Sequence, residues 1–113
     1  MDYRLIDIIS KQVPQIPEHQ NVIIVDDEKT DVPFTEGDYV FIHALWSAVS
    51  VKTLRELSCS NLIKEMKRLW ILDIDRQYCQ NLMEQHEISS SGNGDLLVAK
   101  SGTLTKYCID ETH

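Results

Sequence analysis

His43 and Ser47 stand four residues apart, and Ser50 follows within the same turn of chain. These are the residue types of a nucleophile and its base. An imidazole in hydrogen-bond reach can take a serine proton, and an oxyanion hole must then hold the charge that develops on the substrate. The surroundings supply little of the rest. His43 lies on an apolar strand and points to the face that strand alternation dictates. No Gly-x-Ser-x-Gly elbow encloses Ser47. Ser50 fits the N-cap of the helix that follows. The structural reading is preferred, and no catalytic residue is assigned.

The other chemistry-bearing types are scattered. Cys59, Cys79 and Cys108 are far apart. An odd, dispersed set without an export signal reads as reduced thiols in a cytoplasmic protein. None sits at a helix N-terminus beside a base, where a thiolate is stabilised. The four histidines do not pair with the cysteines at metal-ligand spacing, so neither a metal site nor a cofactor is expected. Asp26-Asp27-Glu28 follows a β-branched run, and Asp73 closes the apolar run Leu69-Trp70-Ile71-Leu72. Such oxygen ligands suit Mg²⁺, and the pattern resembles a phospho-receiver domain. Against this, Pro33 and Gly37 break the segment where a receiver needs its first helix, and no Met-Pro follows Asp73.

With 113 residues the chain has room for one domain, read as residues 1–113: an N-terminal helix and linker over 1–20 and a core over 21–110. Hydrophobic residues make up 42% and charged ones 26%, the balance of a globular protein, and no apolar run is long enough to span a membrane. Met1-Asp2-Tyr3-Arg4-Leu5 is not the basic-then-apolar start of a signal peptide, so the cytoplasm is the expected compartment. The net charge of −7 argues against nucleic acid or an anionic membrane as partner, since phosphate binding needs Lys and Arg. It suits a soluble protein that meets another, basic protein.

The elements that must position these residues follow from periodicity. Residues 2–13 have helical spacing that Pro14 and Pro17 end. Residues 21–25 are β-branched, the mark of a buried strand. Residues 26–38 are polar, with room for a short helix at most. Residues 39–44 form a strand, and 50–66 a helix that Ser58-Cys59-Ser60-Asn61 weakens. Residues 69–75 are a strand with its closing turn. Residues 76–86 form a helix with Asp75 as its N-cap. Residues 95–100 and 103–109 are strands of a hairpin closed by Ser101-Gly102. Interleaved helices imply parallel strands, and the last pair must be antiparallel. The expected class is α/β, a mixed four- to five-stranded sheet with flanking helices and a C-terminal β-hairpin.

Between Val22 and Cys108 this order resembles the thioredoxin-like superfamily. Trp46-Ser47-Ala48-Val49-Ser50 stands where the family has Trp-Cys-x-x-Cys, with serine at both thiol positions. Residues 92–102 resemble its Gly-Ile-Pro-Thr-Leu-x-x-Phe-Lys-x-Gly hairpin, with Lys100 and Gly102 in register with Leu96. Gly94 takes the place of the cis-proline, and Phe41 that of the buried carboxylate. The three losses are coherent, because each group has a job only beside a dithiol. The family's C-terminal helix has no counterpart, and the N-terminal helix is expected to cover the face it leaves.

The resemblance implies a redox-inactive, non-enzymatic module of bacterial type that binds another protein. Trp46, Ser47, Ala48, Val49, Ser50 and Gly94 would line its groove. Two roles fit: a chaperone or assembly factor, as among the redox-inactive thioredoxin-like proteins of hydrogenase maturation, and a small acidic immunity or inhibitor protein that neutralises a basic toxin. An open sheet edge also allows a homodimer. Trp46, at a strand-to-helix turn, is the better exposed anchor; Trp70, mid-strand, belongs to the core.

Overall fold

The computed structural model describes residues 4–26 and 32–107. α1 (Leu5–Gln12) leads through a 3₁₀ turn (Ile16–Glu18) to β1 (Val22–Ile24). Then come β2 (Tyr39–His43), α2 (Ala48–Ser58), α3 (Asn61–Glu65), β3 (Leu69–Asp73), α4 (Gln77–Gln85), β4 (Asp95–Lys100) and β5 (Thr103–Lys106). The strands form one five-stranded sheet in the order β1-β3-β2-β4-β5. β1 and β2 each pair parallel with β3, while β4 runs antiparallel to β2 and to β5. The fold is α/β with a mixed sheet.

Strand alternation divides the core in two. On one face Phe41, Leu69, Ile71 and Leu96 pack with Leu5 and Ile9 of α1, Leu54 and Leu57 of α2 and Ile63 of α3. On the other, Val40, Ile42, Trp70, Leu72 and Leu97 pack with Tyr78, Cys79, Leu82 and Met83 of α4. Trp70 is therefore core, its Nε1–H donating to Asp38 Oδ2 at 3.1 Å. Asp38 is fully buried at the start of β2 and ion-paired to Arg68 at 2.8 Å.

The helix expected over residues 50–66 is two helices, broken at Cys59 and Ser60. The cause is visible in the hydroxyls. Ser58 Oγ donates to the Arg55 carbonyl and Ser60 Oγ to the Leu57 carbonyl, both at 2.7 Å, competing with helical hydrogen bonds. The first strand departs from its reading. β1 is an edge strand with half-buried residues throughout, because only β3 pairs with it. The hairpin turn carries positive φ at Ser101 and Gly102 (56° and 77°), the conformation a two-residue I′ turn demands. Residues 108 and 109, expected in the last strand, and the C-terminal helix position lie outside the described residues. α1 packs on the same face as α2. Among the described residues no helix is long and apolar enough to cross a membrane.

The topology corrects the phospho-receiver alternative. A receiver sheet is doubly wound, parallel and of order 2-1-3-4-5, whereas here β1 is at the edge and β4 and β5 are antiparallel.

Candidate functional site at the β2–α2 turn

The turn between β2 and α2 sits at the carboxyl ends of the parallel strands, where open α/β sheets place their ligands. The cap of α2 is Ser47, not Ser50. Ser47 has extended backbone (φ −105°, ψ 119°), and its Oγ accepts the Ser50 amide at 3.2 Å. Ser50 lies within the first helical turn and is fully buried.

Ser50 closes a buried chain of hydrogen bonds. Its Oγ accepts the Ala44 amide at 3.0 Å and lies 2.7 Å from His43 Nδ1. His43 Nε2 lies 2.9 Å from Gln12 Oε1, and Gln12 Nε2 donates to the Leu45 carbonyl at 3.0 Å. The pattern assigns the tautomer: Ser50 O–H donates to Nδ1, and Nε2–H donates to Gln12. Burial pushes the His43 pKa down to about 4, against the upward pull of the Asp73 carboxylate, so the ring is neutral at pH 7. His43 thus serves Ser50 rather than Ser47. Both are shut off from solvent, and Ser47 Oγ is spent on the cap. The chain of bonds fixes the turn; it does not present a nucleophile.

What the turn presents is Trp46. The residue is 65% exposed, yet its indole is held. Nε1–H donates to Asp75 Oδ2 at 2.9 Å. The ring lies on Gly92, where a Cβ would come within 2.5 Å of Cη2. Val49 is exposed beside it at 53%, and Ala48 is exposed too. Gly94 faces Ser50 and Phe41: a Cβ there would meet Phe41 Cζ at 2.9 Å and Ser50 Oγ at 3.2 Å. Its φ of +87° suits glycine, and there is no cis peptide bond among the described residues. Of the expected site residues, Trp46, Ala48 and Val49 form the surface, Ser47 and Ser50 lie beneath it, and Gly94 packs against Ser50 at its edge.

The carboxylates beside the turn are engaged. Asp26 accepts the Leu5 and Ile6 amides and so caps α1 from across the fold. Arg76 donates to the Asp26 carbonyl at 2.8 Å and lies 3.5 Å from Asp73 Oδ2. A guanidinium therefore sits where a cation between Asp26 and Asp73 would go. Among the described residues no group of three His, Cys, Asp or Glu side chains could hold a metal ion. Asp27 and Cys108 lie outside the described residues. Asp75 does not cap α4: its side chain serves Trp46, the cap position is Arg76, and no side chain caps that helix. Burial pushes the Cys79 thiol up to about 12, so it is inert at neutral pH; Cys59 is exposed at the end of α2.

Sequence reasoning missed Gln12, Asp75 and Gly92 as site residues. Gln12 and Asp75 reach the turn through contacts 33 and 29 positions apart in the chain, which no local pattern carries. Gly92 had a signal in Gly92-Asn93-Gly94, legible as a loop but not as a seat for an indole. No protein family, curated protein or solved structure matches this chain.

Proposed function

We propose that the chain is a thioredoxin-like module without redox thiols, which binds another protein through the β2–α2 turn. The observation that carries the reading is Trp46: an exposed indole held by Asp75 and Gly92, with apolar Val49 beside it. A pre-set aromatic loses little entropy on docking, the character of an interface anchor. The strand order, the Ser47–Ser50 spacing at the head of α2 and the seat of Gly94 against Ser50 support the family reading. Serine at both positions leaves no dithiol to oxidise, so the activity is recognition rather than electron transfer. An assembly or chaperone role is the first form of the proposal. The net charge of −7 favours a second, an acidic inhibitor or immunity protein for a basic toxin.

The test is affinity capture by the tagged protein from its native cells at low and moderate salt, beside the Trp46→Ala variant. One stoichiometric partner, weakened by about 2 kcal/mol in the variant with the fold intact by circular dichroism, supports the reading. Equal capture by both proteins moves the interface elsewhere. Capture that collapses with modest salt selects the inhibitor form.

A further inference from the structure

Asn93 is the one asparagine of the chain that a glycine follows. The pair has a chemistry of its own. The Gly94 amide nitrogen can attack Asn93 Cγ, and glycine opposes that approach least, with no Cβ beside the nitrogen and the widest choice of backbone angles. The new N–Cγ bond closes a cyclic succinimide. The side-chain nitrogen leaves as ammonia and takes the amide proton with it. Water then opens the ring at either carbonyl. One opening leaves an aspartate. The other leaves an isoaspartate, whose backbone runs through the former side chain and is longer by one carbon. Water is the only co-reactant.

The fold exposes this pair and protects the other asparagines. Asn93 is exposed in the loop before β4, and among the described residues no hydrogen bond holds its side chain or the Gly94 amide. Asn21 Nδ2 donates to the Ile63 and Met66 carbonyls, both at 2.9 Å, and β-branched Val22 follows it. Asn81 lies within α4, accepts from Gln77 Nε2 at 2.9 Å and is followed by Leu82. Asn61 opens α3 and is followed by Leu62. Helical dihedrals fix the backbone that ring closure must rotate.

Position gives the reaction a consequence. Asn93 stands between two glycines set by contact: Gly92 against the Trp46 ring, Gly94 against Phe41 and Ser50. Ser90 Oγ accepts the Gly92 amide at 3.3 Å and donates to Asp95 Oδ2, which ties the loop back to the first residue of β4. Phe41 and Ser50 are fully buried, so Gly94 has no room to retreat, whereas the indole is exposed. An added backbone carbon is therefore absorbed on the Gly92 side, against the ring.

We infer that Asn93 is a site of spontaneous deamidation, and that its isoaspartate product displaces the Trp46 indole from Gly92 and from Asp75. The turn then ages with the protein. On the binding role proposed above, old protein holds its partner less well than new. The experiment needs no partner, so its outcome is independent of that role.

Full-length wild type, Asn93→Gln and Asn93→Asp are held warm in mildly alkaline buffer and sampled over time. Proteolytic peptides are mapped by mass for conversion of amide to acid. Isoaspartate is read by enzymatic methylation of its free carboxyl, and tryptophan fluorescence is recorded on the intact protein. Conversion is expected at Asn93 ahead of Asn21, Asn61 and Asn81, with isoaspartate in the product. The fluorescence of the exposed tryptophan should shift in step with the isoaspartate fraction in wild type and stay constant in Asn93→Gln. Conversion at Asn93 no faster than at the other three overturns the inference, as does isoaspartate without a fluorescence shift. A shift already complete in fresh Asn93→Asp overturns it too, because added charge and not a longer backbone would then move the ring.

Discussion

Trp46 shows how a single exposed side chain can be made rigid without burial. Its hydrogen bond to Asp75 fixes one end of the indole, and the missing side chain of Gly92 leaves room for the Cη2 end of the ring. Removing the ring tests whether it contacts a partner; displacing it tests whether its position matters. Gly92→Ala does the second. The new Cβ would stand 2.5 Å from Cη2, and the φ of +85° disfavours any L side chain, so the ring must swing away from Asp75. The expected result is a shift in the fluorescence of the exposed tryptophan and a loss of partner affinity approaching that of Trp46→Ala. Trp70 serves as an internal control, buried against Asp38 and untouched by the change. An unshifted spectrum with full affinity would mean that Gly92 does not set the ring.

At the scale of elements, the head of α2 carries the strongest test of descent from a dithiol site. Ser47 and Ser50 already stand at the N-cap and within the first turn, linked by the hydrogen bond from the Ser50 amide to Ser47 Oγ. Replacing both with cysteine places one thiol at the positive end of the helix, where the thiolate is favoured, and the second within reach of it. A disulfide between positions 47 and 50 should form in air and be found by peptide mass mapping; persistently free thiols would sink the equivalence with Trp-Cys-x-x-Cys. The strand and the turn were legible in the sequence because they are local signals, but the cap falls on Ser47 and not on Ser50, where the sequence reading puts it. Also legible were the α2–α3 break at Ser58–Ser60 and the Ser101-Gly102 hairpin, each set by residues within a few positions. The role of Ser50 was not. Its hydroxyl is claimed by Ala44 and His43, and His43 by Gln12 on α1, and that chain exists only after α1 folds back on the sheet. The edge position of β1 was equally hidden, since β-branched residues report a strand but not how many neighbours it has.

Across the whole molecule, buried titratable groups set a stability window. His43 is held neutral at 0% exposure, with its pKa pushed down by burial to about 4 from an ordinary 6.5. Between those values the unfolded chain binds a proton that the folded one refuses, so stability is full above pH 6.5 and falls as pH drops towards 4. The loss is about 3 kcal/mol over that interval. Burial also raises the carboxyl pKa of Asp38, but the Thr35 amide, Arg68 and Trp70 donors outweigh it and hold the group below its ordinary value. Its contribution is likewise lost on acidification, but at lower pH than that of His43. Cys79 acts at the other end. Burial raises its pKa to about 12, so its contribution is intact below about 9, the ordinary thiol value, and is lost as pH rises through 12. Stability should therefore be flat between about pH 6.5 and 9 and slope away on either side. Urea denaturation at pH 7.5 and 4.5 isolates the histidine. Wild type should lose about 2.5 kcal/mol more between the two conditions than His43→Gln, which keeps polar atoms near Ser50 and Gln12 but has no proton to take up. Equal losses in the two proteins would mean that His43 titrates freely in the folded state. The hydrogen-bonded chain from α1 to the Trp46 turn would then not be closed to water.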